Sequence, residues 1–167
     1  MADERRTDVR RKYASLGVGE LTAAVVFGFI GVNLATRAPG DALSLWSGLL
    51  PLLVILVQVG VYWLLARGWA GRGSMPTGIA GVYRLFRIID PVLLAAGLAG
   101  VMMWSTGGFG LVPAVTAWLF GVVEYVNYFV VRLSYPILHW STLIGRWSTP
   151  RLVRDLRTRA ETASKSS

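Results

Sequence analysis

Residues 43–66 read LSLWSGLLPLLVILVQVGVYWLLA and contain no charged side chain. A helix crosses the hydrocarbon core of a bilayer with about 20 consecutive apolar residues, so this stretch predicts a transmembrane helix. Pro51 falls within its early turns, where neighbouring helices can satisfy the carbonyl that a proline leaves without a donor. We therefore expect one complete span here, with at most a kink at the proline.

Three further apolar stretches flank this run in the sequence. They predict spans at about 16–35, 90–106 and 111–131, and the stretch at 90–106 is short for a bilayer. Four spans of about 20 residues each consume roughly half of a 167-residue chain and leave no room for a separate soluble domain. The predicted fold class is all-α: a polytopic membrane protein whose domain, residues 1–148, is a four-transmembrane-helix bundle.

The beginning of the chain allows a second interpretation. A basic start followed by an apolar run also describes a secretory signal peptide, with cleavage near Ala35. Asn33 stands where a small residue is preferred, and Arg37 follows immediately, so the cleavage site is a poor one. These residues favour an uncleaved first span.

Amphipathic segments adjoin two of the spans. Residues 79–89 and 136–148 place aromatic and aliphatic side chains at helical spacing among basic ones, a pattern typical of helices that lie in the membrane interface. Residues 149–167 are basic and end in a Ser-rich stretch, which predicts a partly disordered tail. We expect all three segments on the cytoplasmic side.

The dipeptide Asp90-Pro91 can mark the third span in two ways. Aspartate followed by proline is typical of a helix N-cap and first turn. The alternative is a kink inside one longer helix that begins near Val82. Of the two, we expect the cap.

Composition excludes several kinds of active site. Cysteine is absent, so thiolate metal sites, disulfides and cysteine nucleophiles do not arise. His139 is the only histidine, which leaves no multi-histidine metal or haem site in one chain. Nucleotide-binding, zinc-protease and serine-hydrolase motifs do not occur either. We therefore expect no cofactor, no metal and no enzymatic activity.

The distribution of basic residues predicts the orientation. Of the 17 Lys and Arg residues, Arg37 alone falls on the side of the short loops at 36–42 and 105–110. The positive-inside rule then places both termini in the cytoplasm. The chain is predicted to be a multi-pass protein of the cell (inner) membrane, and its Arg-rich, Ala-rich and Gly-rich composition is typical of a bacterial protein.

Lipid is the partner that the charge pattern predicts. The net charge of +8 is concentrated at the ends of apolar runs, where anionic head groups lie, and nucleic acid is not an expected partner. A homo-oligomer or another membrane protein is a further possible partner. The residues expected to contact head groups are Arg84, Arg87, Arg132 and Arg146.

Polar residues within the spans are the candidates for a functional site. Glu124 lies roughly 10 Å from the nearer interface, too deep to reach water, and an ionisable residue at such depth is a functional candidate by default. Asn127 and Tyr128 follow it on the same helical face. Glu20 lies about one turn into the first span, where Arg84, Arg87 or Arg132 could pair with it. Gln58 lies in the inner half of the second span.

These five residues share one leaflet, which leaves two interpretations open. They line a polar cavity that opens towards the cytoplasm, or they form a hydrogen-bond network that holds the bundle together. The first function predicted is a non-enzymatic accessory or scaffold subunit. The alternative is a small oligomeric transporter or channel in which Glu124 exchanges protons or binds a cation. A lipid-acting enzyme with Glu124 as general base ranks last, because no nucleophile or metal accompanies it.

Overall fold

The computed structural model describes residues 2–69 and 76–130, which fold almost entirely into helices. In chain order these helices are α1 Ala2–Arg37, α2 Ala42–Trp69, α3 Thr77–Trp104 and α4 Leu111–Tyr125. A 3₁₀ turn, Pro39–Asp41, precedes α2, and a π-helical turn, Val126–Val130, extends α4.

Each of the four helices is long and apolar enough to cross a membrane. The all-helical, four-helix part of the prediction is therefore confirmed, and it is compatible with a multi-pass membrane protein. The predicted segments 136–148 and 149–167 lie outside the described residues, as do Arg132 and Arg146.

Helix α2 is the centre of the bundle. In the most apolar 18-residue stretch of each helix, the buried share is 61% for α2, 28% for α3 and 17% for both α1 and α4. It packs against all three other helices, and α4 packs in addition on α3. A helix that is apolar all round is suited to this central position, whereas the other three present one face to α2 and leave the rest exposed.

Small residues set the distance between the helices. A Cβ on Gly60 of α2 would lie 2.8 Å from the Leu21 Cγ and 3.1 Å from the carbonyl oxygen of Gly17, both in α1. A Cβ on Gly48 would collide with the backbone of Ala114 in α4. In the absence of a strong hydrophobic force between helices in lipid, such close backbone approaches supply much of the packing energy.

The expected helix cap at Asp90 is wrong. Helix α3 runs without interruption from Thr77 to Trp104 and contains both Asp90 and Pro91. The alternative of one longer helix is the observed one, and it begins five residues before Val82. Residues 79–89 are accordingly the first turns of the third span and continuous with it.

A hydrogen bond from α4 explains how α3 accommodates its proline. Pro91 has no backbone N–H, so the carbonyl of Arg87, four residues earlier, loses its helical donor. The hydroxyl of Tyr125 donates to that carbonyl at 3.2 Å. Pro51 in α2 similarly leaves the Ser47 carbonyl free, and this oxygen lies against Gly97 of α3, where a Cβ would be 2.7 Å away.

One aspartate joins the two loops at the end of the bundle opposite the N-terminus. The Asp41 carboxylate accepts hydrogen bonds from the backbone N–H and the hydroxyl of Thr106, at 3.2 and 2.6 Å, and from the N–H of Gly110 at 3.1 Å. Gly110 is the N-cap of α4. The negative charge of Asp41 therefore lies at the start of this helix, where free backbone N–H groups are concentrated. The two loops thereby form one connected cap.

Candidate functional site

A tyrosine–glutamate hydrogen bond ties the last turn of the described chain to α1. Glu20 is half-buried on the face of α1 that also buries Tyr13, Gly17 and Ala24. The Tyr128 hydroxyl donates to its Oε1 atom. Sequence reasoning offered an arginine as the partner of Glu20, whereas the hydrogen-bond donor in the structure is this phenol.

Glu124 lies beside this pair. Its charge and that of Glu20 are close enough to interact, and the side-chain amide of Asn127 donates to it. The Oε2 atom of Glu124 is buried and has no hydrogen-bond partner. We call Glu20, Glu124, Asn127 and Tyr128 the carboxyl cluster. The structure therefore brings together four of the five polar residues that the sequence singled out.

Aromatic side chains from α1 and α2 lie beside Tyr128 of the carboxyl cluster. The Trp63 indole lies beside the Tyr128 hydroxyl but does not reach hydrogen-bond geometry. The ring centroids of Trp63 and Tyr13 are 5.2 Å apart. Both side chains are almost fully buried, and Tyr128 packs against the apolar cluster to which they belong.

The backbone of the cluster departs from a regular α-helix. Asn127 and Tyr128 belong to the π-helical turn Val126–Val130, a conformation that is rare and frequent at functional sites. The wider turn leaves Phe129 only 1% exposed, stacked on Tyr125 with the ring centroids 5.3 Å apart. Periodicity of the sequence gives no signal for a π-turn, and Phe129 was not among the predicted site residues.

Gln58, the fifth predicted residue, lies in a different place. Its Nε2 atom donates to Oδ1 of Asp90 at 3.0 Å, and its backbone carbonyl accepts a hydrogen bond of 2.8 Å from the Tyr83 hydroxyl. Both partners come from α3. We call Gln58, Tyr83 and Asp90 the amide–acid cluster. Sequence reasoning missed Asp90 because it treated the residue as a helix cap, whereas the side chain is fully buried inside α3.

The two described arginines of the predicted head-group set are available to solvent. Arg84 and Arg87 are both exposed on α3, one turn apart. Arg87 also interacts electrostatically with the Tyr125 hydroxyl. Their exposure agrees with a role at a charged surface and gives neither residue a partner in the bundle core.

An apolar groove forms at the loop end of the bundle, away from both polar clusters. Its volume is about 500 Å³, and it lies between α1, α2 and α4. Its walls include Phe27, Leu49, Phe109 and Phe120, with Thr116 as the hydroxyl-bearing residue.

Within residues 2–69 and 76–130, no three His, Asp or Glu residues are grouped so that they could hold a metal ion.

Comparison with known proteins gives no relative from which a role could be transferred. No protein-family model matches the chain, and neither a curated protein nor a solved structure is similar to it. The chemistry available to the two polar clusters is therefore the basis for assigning a function. Carboxyl, amide and phenol groups can exchange protons and hydrogen-bond across helices.

Proposed function

We propose that this chain is a non-enzymatic membrane protein, an accessory or scaffold subunit of the bacterial cytoplasmic membrane. The observation that carries the proposal is that polar side chains of the bundle form hydrogen bonds between helices. Apart from the exposed hydrogen bond of Arg10 with the Arg67 carbonyl, six described hydrogen bonds from side chains each join two different helices and so hold the bundle in one arrangement. Their donors are Ser44, Gln58, Tyr83, Trp118, Tyr125 and Tyr128.

The outward side of α3 supplies a surface for a partner. Five exposed residues form this face, directly opposite the buried stripe that contacts α2. Three of them are alanines, whose small side chains allow a second helix to approach closely. A transmembrane helix of a protein partner, or α3 of a second copy, fits this surface. The α3 face consists of Val92, Ala95, Ala96, Ala99 and Met103.

Lipid contact belongs to the same proposal. With both termini in the cytoplasm, the basic first turns of α3 lie at the inner interface, where Arg84 and Arg87 contact anionic head groups. Arg132 and Arg146, which fall outside the described residues, belong to the proposal as further head-group contacts that the sequence predicts. These contacts anchor the inner end of the bundle while the α3 face remains free for a partner.

Site-specific crosslinking tests the partner surface. Because the chain contains no cysteine, Ala99→Cys can carry a photoreactive maleimide without further changes. Val25→Cys on α1, which is 73% exposed, is the matched control. We expect a protein adduct in native membranes from position 99 alone, and its loss when Ala95→Leu fills the face. Adducts with lipid only, or equal protein adducts from both positions, would refute the proposal.

The carboxyl cluster favours a second function, a proton- or cation-coupled transporter or channel that works as an oligomer. The observation behind it is the buried Oε2 atom of Glu124, which has no hydrogen-bond partner and is close to a second carboxyl group. Such an atom can accept a proton or a cation. In proteoliposomes, Glu124→Gln should abolish a flux that the wild type and Asp8→Asn both show. Equal flux in all three proteins, or flux in none, removes this function.

A further inference from the structure

In the amide–acid cluster, Gln58 and Asp90 each have one buried oxygen without a hydrogen-bond partner. Gln58 is 8% exposed and Asp90 is 0% exposed, so both side chains are buried. One hydrogen bond joins them, from Gln58 Nε2 to Asp90 Oδ1. The other oxygen of each group, Gln58 Oε1 and Asp90 Oδ2, is buried without a hydrogen-bond partner.

An ionised aspartate does not explain this arrangement. A carboxylate offers acceptors only, and the amide oxygen is also an acceptor, so the two unpartnered atoms cannot satisfy each other. Buried acceptors without donors are costly, and a buried charge without a counter-charge is costlier still. Reversing the amide would present its oxygen to Oδ1 and would repeat the mismatch there.

A single proton removes the mismatch. A carboxylic acid has one O–H donor and one carbonyl acceptor, and a primary amide has an N–H donor and a carbonyl acceptor. With a proton on Oδ2, Asp90 donates to Gln58 Oε1 while its Oδ1 atom accepts from Nε2. All four polar positions of the pair are then used, and the pair carries no charge.

Among residues 2–69 and 76–130, the groups around Asp90 do not supply a counter-charge in place of the proton. From α4, Tyr125 faces Asp90, and its hydroxyl already donates to the Arg87 carbonyl. The Tyr83 hydroxyl donates to the backbone of Gln58. Arg87 itself lies one turn before Asp90 on an exposed position. The described polar contact of the Asp90 carboxyl group is with the amide of α2.

We propose that Asp90 is a proton-binding site, which holds a proton at neutral pH and forms a neutral acid–amide pair with Gln58 between α2 and α3. The pair lies beside Pro91, where α3 lacks one of its own hydrogen bonds, and it fixes the register of the two helices at that point. It is independent of the carboxyl cluster and of any transport through Glu124.

Infrared spectroscopy of the full chain in lipid vesicles tests the protonation directly. At neutral pH the wild type should show the C=O stretch of a buried carboxylic acid, shifted in D₂O. Asp90→Asn should lose this band, and Glu124→Gln and Glu20→Gln should retain it. In Gln58→Leu the band should move to a higher frequency, because its hydrogen-bond donor and acceptor are gone. A wild-type spectrum without any band that Asp90→Asn removes would overturn the proposal.

Stability gives a second and separate test. Asparagine reproduces both hydrogen bonds of a protonated aspartate, so Asp90→Asn should unfold at the same SDS concentration as the wild type. Asp90→Leu, similar in size but without polar atoms, should unfold earlier because the amide of Gln58 loses its partner. If Asp90→Asn fails to assemble, or is as unstable as Asp90→Leu, the aspartate acts as an anion and the proposal is wrong.

Discussion

At the scale of single residues, Asp41 shows how one polar side chain can connect distant parts of the chain. Its carboxylate accepts three hydrogen bonds, two from Thr106 and one from Gly110, and so spans both loops at that end of the bundle. Hydrogen bonds to a charged acceptor are stronger than those between neutral groups. A carboxylate at the start of α4 also interacts favourably with the helix dipole.

Asp41→Ala should therefore lower stability more than Asp41→Asn does. The alanine removes all three acceptor interactions. Asparagine keeps one oxygen as an acceptor, but its NH₂ group replaces the other oxygen and cannot accept a hydrogen bond from the backbone or hydroxyl donor that faces it. The midpoint of SDS-induced unfolding in mixed micelles measures the order. Asp8→Ala, at an exposed position of α1, is the control. An Asp41→Ala protein as stable as this control would show that the loop cap contributes nothing.

Glycines at helix contacts behave differently from glycines that face outward. A Cβ on Gly48 would collide with the backbone of Ala114, whereas a Cβ on Gly28 meets nothing within 4 Å. Overpacking of a tight contact costs about 1–3 kcal/mol. We expect Gly48→Ala to lose stability of this order and Gly28→Ala to lose none, since alanine favours the helix by roughly 1 kcal/mol over glycine. Equal unfolding midpoints for the two variants would contradict the observed α2–α4 distance.

At the scale of elements, α3 shows how a proline can lie inside a span. The cap predicted at Asp90 followed from the Asp-Pro pattern, but Tyr125 of α4 supplies the donor that Pro91 lacks. A pattern within one segment cannot reveal a donor from another segment. The same reason explains why Gln58 was grouped with Glu124 by depth, although its side chain turns towards α3 and Asp90.

A double-mutant cycle tests the role of Tyr125 in this element. Tyr125→Phe should cost about 1 kcal/mol, the usual net contribution of one hydrogen bond, because the Arg87 carbonyl loses its donor. In a Pro91→Ala background the restored backbone N–H satisfies that carbonyl, so Tyr125→Phe should cost much less. Unfolding midpoints of the four proteins give the coupling energy. Additive effects in the cycle would mean that the hydroxyl does not compensate for the proline.

At the scale of the whole molecule, composition and apolar length were sufficient to predict four helices long and apolar enough to cross a membrane. Helix α2, with no charge over residues 43–66, is also the helix that the other three surround. The depth of Glu20, Glu124, Asn127 and Tyr128 predicted their neighbourhood, because helices of known direction place residues of equal depth at one level. The depth of a residue does not predict how each helix is rotated about its axis. This rotation determines which polar side chains face each other and form hydrogen bonds.

Orientation in the bilayer is the remaining property of the whole molecule that the basic residues predict. Gly40 and Gly78 are exposed, lie at opposite ends of the bundle and have open space where a Cβ would be, so cysteine at either position leaves the packing unchanged. In intact cells a membrane-impermeant maleimide should label Gly40→Cys, and it should label Gly78→Cys only after permeabilisation. The Cys-free wild type is the background control. The reverse pattern would place the basic end outside, which would separate Arg84 and Arg87 from the anionic inner leaflet and remove the basis for lipid anchoring there.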